Sequence, residues 1–170
     1  YALDFDGTDD QVNFGNNPSV NITGSITLEA WIKPTEVRTG SIIKKCDAIN
    51  QGKGYELYCG SGGKVFIRLN GTDVSRASST TSYPTDGTWM HVAGTYDGVN
   101  TRIYINGKLE ATTAYGTPIS SSTKDLLIGD DPNRIDARFR GSIDEVRLWN
   151  AALSEEQIRA NMCRKLTGSE

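Results

Sequence analysis

Ile103-Tyr104-Ile105-Asn106-Gly107-Lys108-Leu109-Glu110 is the stretch that decides the fold class. Ile103 and Ile105 alternate with Tyr104, as in a strand with one buried face, and Asn106-Gly107 tolerates the positive φ of a tight type I′ turn. The chain is therefore predicted to return through Lys108-Leu109-Glu110 as an antiparallel partner. Asn70-Gly71 reads as a second hairpin turn. Outward from these, Asp6-Gly7, Thr23-Gly24, Gly60 to Gly63, Asp86-Gly87 and Asp97-Gly98 continue a rhythm of one turn about every 8–12 residues, typical of antiparallel sandwiches or barrels. Ile26, Leu28, Ala30 and Ile32 alternate with Thr27, Glu29, Trp31 and Lys33, and Val65, Ile67 and Leu69 keep the same period. The pattern predicts an all-β antiparallel sandwich or barrel of about a dozen strands, the last over Gly141–Trp149. One short C-terminal helix follows, with Ser154 as its cap and Gln157 completing a capping box. Trp31 and Trp149 are expected to pack beneath it.

A chain of 170 residues buries roughly 70% of its unfolded surface, enough for one domain. Its 36% hydrophobic and 23% charged residues exclude disorder as the main state. Eighteen Lys+Arg against 21 Asp+Glu leave a net charge of -3, with the cations scattered, so no nucleic-acid partner is expected. Apolar runs fall far short of the ~20 residues of a bilayer span, and no membrane insertion is expected. Tyr1 opens on a strand-like stretch and Lys165 to Glu170 closes raggedly, which reads as a monomeric module, residues 1–170, cut from a multidomain protein. Cys46, Cys59 and Cys163 show no zinc or thioredoxin spacing. Cys46 and Cys59 flank a short loop, and two readings stay open: a bridge contributing about 3 kcal/mol, or two small buried hydrophobes.

The chain is expected not to be an enzyme. Its single histidine, His91, lies inside a strand-like run, and no serine sits in a G-x-S-x-G elbow. Glu56 has no same-face acid on its strand, and Asp144 and Glu145 point to opposite faces if theirs is regular. The outward parity is more informative. With Leu57, Ile67 and Ile103 buried, Tyr58, then Phe66, Arg68 and Asn70, then Arg102 and Tyr104 face solvent. Taken as neighbouring segments, they form a face of rings and fork-shaped donors suited to a polysaccharide or oligosaccharide. Asp130 to Asp136 reads either as an ion or ligand loop or as a solvated one. Asp6 at the first turn and Asp144 at the start of the last strand are candidate calcium ligands. Asn21-Ile22-Thr23 and Asn70-Gly71-Thr72 fit the glycosylation sequon.

Ala2 to Gly7, Leu28 to Pro34, Trp89 to Gly98, Ile103 to Gly107 and Gly141 to Asn150, in this order and ending with Ala151-Ala152-Leu153-Ser154, resemble the successive blocks of the laminin G-like, concanavalin A-like domain family. The resemblance implies a two-sheet antiparallel β-sandwich (jelly roll) with one concave face, serving as a carbohydrate-binding or adhesion module of secreted or cell-surface proteins. It also implies one structural calcium held by Asp6, Asp144 and the backbone carbonyl of Gly24. The E-x-D-x-x-E strand of hydrolases with this fold has no counterpart here. The resulting expectation is a noncatalytic module that attaches a parent enzyme or surface protein to a polysaccharide. An extracellular protein-interaction or adhesion domain is the alternative, and a glycan hydrolase or lyase the third.

Overall fold

The period-two stretches form antiparallel strands in a computed structural model that describes residues 2–47 and 52–164. Tyr1 and the ragged stretch 165–170 lie outside the described residues. The strands are β1 (Leu3–Asp6), β2 (Val12–Asn13), β3 (Ile26–Pro34), β4 (Gly40–Cys46), β5 (Gly54–Cys59), β6 (Lys64–Leu69), β7 (Ala77–Ser82), β8 (Met90–Tyr96), β9 (Asn100–Ile105), β10 (Lys108–Ala114), β11 (Leu127–Ile128) and β12 (Arg140–Trp149). A single helix, α1 (Glu155–Met162), follows among the described residues. The first sheet runs β1-β12-β3-β8-β9-β10 and the second β2-β11-β4-β5-β6-β7.

The inward parity fills the space between the sheets as predicted. Ile26, Leu28, Ala30, Ile32, Val92 and Ile103 of the first sheet meet Leu57, Val65, Ile67 and Leu69 of the second in one cluster. Burying each such aliphatic side chain contributes about 1.5–3 kcal/mol. The sheets approach so closely at Gly94 that a Cβ there would lie 2.7 Å from Ile67 Cβ.

The Asn106-Gly107 turn is as read: Ile105 pairs with Lys108, and both turn residues have positive φ. Asn70 and Gly71 also have positive φ, but the chain then enters a 3-10 turn over Asp73–Ser75 before β7, so this is not a two-residue hairpin. The helix starts where its capping box places it, with Ser154 Oγ accepting from the Gln157 amide and Gln157 Oε1 from that of Ser154.

Each outer face carries a cover that period-two reading does not show. On the first sheet, Ile158 and Leu153 pack on Ala93 and Tyr104. Thr27, Glu29 and His91, on the polar side of their strands, are consequently buried. On the second sheet, the chain between β11 and β12 makes a 3-10 turn over Ile135–Ala137, and Ala137 closes on Tyr58 and Phe66.

Candidate functional site

On the outer face of the second sheet, β5 and β6 pair Glu56 with Arg68 and Tyr58 with Phe66. Glu56 is fully buried, with Lys44 Nζ 2.8 Å from one carboxylate oxygen and Arg68 Nε 2.5 Å from the other. Lys44 also reaches Asp131 Oδ2 at 2.9 Å, and Arg68 Nη1 reaches Asp73 Oδ1 at 3.2 Å. Each buried charge thus has opposite charge beside it, the condition on which such charges are tolerated. Burial pulls the Lys44 pKa down, but Glu56 and Asp131 outweigh it, and the ammonium is held above its ordinary range. Burial first, then the Asp131 carboxylate, raises the Tyr58 phenol, which stays a neutral donor to Asp131 Oδ2 at 2.6 Å.

Beside this network lies an open cavity of about 300 Å³. Its lining combines Tyr58, Phe66 and Arg68 with Lys64, Arg76 and Arg134, and with Thr39 and the Gly60-Ser61-Gly62 turn. The rings of Tyr58 and Phe66 lie 5.5 Å apart, and the guanidinium carbons of Arg76 and Arg68 sit 3.9 and 5.4 Å from the Phe66 ring centre. The expectation of bare, solvent-facing rings is corrected: Tyr58 and Phe66 are only 2% and 5% exposed. What reaches solvent is the Arg76 guanidinium, propped on the Phe66 ring, together with Arg134, whereas Arg68 lies buried beside the same ring.

Three of the six predicted ligand residues therefore meet at this cavity, and three do not. Asn70 follows β6, is buried, and spends its amide on structure: Nδ2 donates to Tyr115 Oη and Pro118 O, and Oδ1 accepts from the Ser120 amide. The same bonds remove its sequon from solvent. Arg102 and Tyr104 belong to β9 in the other sheet, where Arg102 pairs with Asp97 at 2.5 Å and Tyr104 lies under α1. Side-chain parity tells outward from inward but not which sheet a strand joins, and that was the missing information. Lys64, Arg76, Arg134 and Thr39 went unread as ligand residues. Only Arg134 carried a signal, as part of the Asp130 to Asp136 cluster. In that cluster Asp131 binds Tyr58 and Lys44, and Asp130 binds Arg138 at 2.9 Å, so its buried acids are structural.

The predicted calcium set is also dispersed. Asp6 pairs with Arg140, whereas Asp144 lies four residues further along β12, roughly 13 Å at ~3.3 Å per residue. Gly24 precedes by seven residues Trp31, the β3 partner of Asp144, so it lies towards the far end of the sheet. Asp6 instead gathers with Asp9 and Asp10, one carboxylate oxygen from each lying within 4.8 Å of the others. The Thr8 amide, donating at 2.6 Å, lowers the Asp6 pKa. An all-oxygen set of exposed carboxylates fits a hard cation such as calcium. The Thr8 carbonyl already accepts from the Arg138 guanidinium.

A bulge in β12 gives Glu145 a φ of 48°, so the regular strand on which the opposite facing of Asp144 and Glu145 depended is interrupted, and both line a cavity of about 390 Å³ beside Trp31 and Trp89. Trp31 Nε1 donates to Met162 O at 2.9 Å, placing it against α1 as expected, and Trp149 Nε1 donates to Glu29 Oε1 at 2.8 Å. His91 is buried against Trp31, with Nε2 3.5 Å from Glu29 Oε2. Cys46 and Cys59 are both free and buried. The register pairs Cys59 with Gly40 and Cys46 with Gly54, at opposite ends of β4, which excludes a bridge.

A family model described as the concanavalin A-like lectin/glucanases superfamily matches residues 6–159. Mouse pappalysin-1 is 28% identical over 160 residues, 81% of this chain and 10% of that protein. The chain thus spans about a tenth of the curated relatives it matches. A Bacteroides ovatus protein assigned as carbohydrate-binding superimposes with a TM-score of 0.73 at 25% identity, covering 95% of this chain and 46% of that one. The CBM40 domain of a Ruminococcus gnavus sialidase, bound to α2,3 sialyllactose, superimposes with a TM-score of 0.71 at 18% identity, covering 94% and 95%.

Proposed function

Because the chain belongs to the concanavalin A-like lectin/glucanases superfamily, we propose that it is a noncatalytic carbohydrate-binding module, part of a longer extracellular protein that it attaches to a polysaccharide. The observation that carries this reading is the cavity on the outer face of the second sheet, where the planar Arg76 guanidinium stands over Phe66 beside Tyr58, glycine backbone and hydroxyls. Planar guanidinium groups offer paired N–H donors at fixed spacing, which matches oxygen atoms spaced along a sugar ring. A shallow site gains modest affinity by itself, so attachment comes from several modules acting together. Asp6, Asp9 and Asp10 supply the oxygen ligands for a structural calcium ion in this proposal, replacing the Asp6, Asp144 and Gly24 set.

Retention on a glycan array tests it. Gly62→Phe fills the cavity mouth, since a Cβ on Gly62 meets no atom within 4 Å, and Arg76→Ala removes a lining donor. Both variants are expected to melt like the parent chain and to lose glycan retention. Silence of the parent chain across a broad array overturns the reading. Retention lost in Trp89→Ala but intact in both cavity variants moves binding to the other sheet.

An adhesion role has one observation in its favour. Leu3 and Phe14 are 53% and 56% exposed and border a mostly apolar depression shared with Val12, Ile128 and Val146, with Asp144 and Glu145 also in its lining. Capture of a protein partner lost in Leu3→Asp, and insensitive to competing sugars, would support it.

A further inference from the structure

We propose that the saccharide taken by the cavity on the second sheet is anionic, bearing carboxylate or sulfate groups; the proposal rests on the carbohydrate reading and adds the charge of the ligand. Lys64, Arg68, Arg76 and Arg134 line the cavity, and no Asp or Glu is among its lining residues. The carboxylates that neutralise three of these cations, Glu56, Asp73 and Asp136, stand outside that lining. Lys64 has only neutral partners among the described residues, Thr80 O and Ser82 Oγ.

The donors are also left aimed at the cavity. Arg76 commits Nε to Ser78 Oγ at 2.9 Å and holds Nη1 3.9 Å from Asp73, while Nη2 sits 3.7 Å from the position a Cβ on Gly60 would take, at the cavity rim. The Phe66 ring beneath holds this guanidinium in place before any ligand arrives. Arg134 uses Nε and Nη2 on Asp136, and Nη1 makes no hydrogen bond among the described residues. The Tyr58 hydroxyl donates inward to Asp131. Charged groups facing the cavity can thus donate but not accept. A neutral sugar hydroxyl can use the uncharged acceptors of the lining, such as the Thr39 and Ser61 hydroxyls, whereas a carboxylate or sulfate also gains charge-assisted bonds from the facing cations, roughly twice as strong as neutral ones. The chain as a whole carries -3, so attraction of a polyanion would be a local property of this face.

Affinity electrophoresis with matched polysaccharides tests the inference: polygalacturonate against its fully methyl-esterified form, and dextran sulfate against dextran. The parent chain is expected to bind the charged member of at least one pair about tenfold or more tightly, and the pair that responds identifies carboxylate or sulfate. The double variant Arg76→Gln/Arg134→Gln should lose that preference about tenfold or more with its melting temperature unchanged. Equal affinity within both pairs, or a preference that survives the double variant, overturns the inference. Poly-L-glutamate bound as tightly as polygalacturonate overturns it as well, by showing charge recognition without a sugar. Where neutral glycans bind and the charged forms add nothing, the carbohydrate reading stands and only this inference falls; where no glycan binds, both fall.

Discussion

Glu56→Gln probes the layer on which the cavity rests. The substitution keeps the shape of a fully buried side chain and removes the negative charge lying 2.8 Å from Lys44 and 2.5 Å from Arg68. Breaking a buried ion pair by removing one partner costs about 3–5 kcal/mol, because the other charge stays desolvated. Each cation here keeps a second carboxylate, Lys44 the buried Asp131 at 2.9 Å and Arg68 the largely exposed Asp73 at 3.2 Å, so the lower end, about 3 kcal/mol, is expected. For a chain of this size each kcal/mol moves the midpoint by about 2–4 °C, which gives a fall of roughly 6–12 °C. Thermal and urea melts at neutral pH read it directly, with Arg76→Gln as a partly exposed control expected within about 1 kcal/mol of the parent. A Glu56→Gln chain melting within about 2 °C of the parent would refute the claim that this network is both desolvated and mutually compensating.

Gly94→Ala is expected to cost about 1–3 kcal/mol, since the added Cβ meets Ile67 Cβ at 2.7 Å; Ile67→Val keeps that atom and should not rescue it, and a neutral Gly94→Ala in a denaturant melt would contradict the packing. Raised pKa values at Lys44 and Tyr58, and at Cys46, pushed up to about 12 by burial, describe stability present below the ordinary values of these groups and lost as pH climbs past them. Midpoints should accordingly hold steady from neutral pH to about 9 and fall above it, with a rise in that range counting against the assignment. Calcium at a hundredfold excess over its dissociation constant should stabilise by about 2.7 kcal/mol. That gain should vanish with chelator and in Asp9→Asn/Asp10→Asn but persist in Asp144→Asn, and the reverse pattern would restore the dispersed set.

Local chemistry carried much of the fold. Period-two alternation at Ile26 to Lys33, the paired positive-φ turn at Asn106-Gly107 and the Ser154/Gln157 capping box depend on neighbours within a few residues, and each appears as read. The candidate site was legible only where a signal was equally local. Tyr58, Phe66 and Arg68 face outward from adjacent strands β5 and β6, as their parity requires. Arg102 and Tyr104 obey the same parity, yet β9 joins the other sheet, because strand order is settled by which hydrophobic faces close over one another.

What the amino-acid sequence alone determined was therefore the kind of element, its inward face and its turns. Tertiary structure decided what lies on top. Residues 129–139 fold over Tyr58 and Phe66, α1 covers Tyr104, and a bulge breaks the β12 alternation at Asp144 and Glu145. Those outcomes arise from contacts between segments up to 138 residues apart, such as Ser142 Oγ to Asp4, and energies of that range leave no periodic trace along the chain.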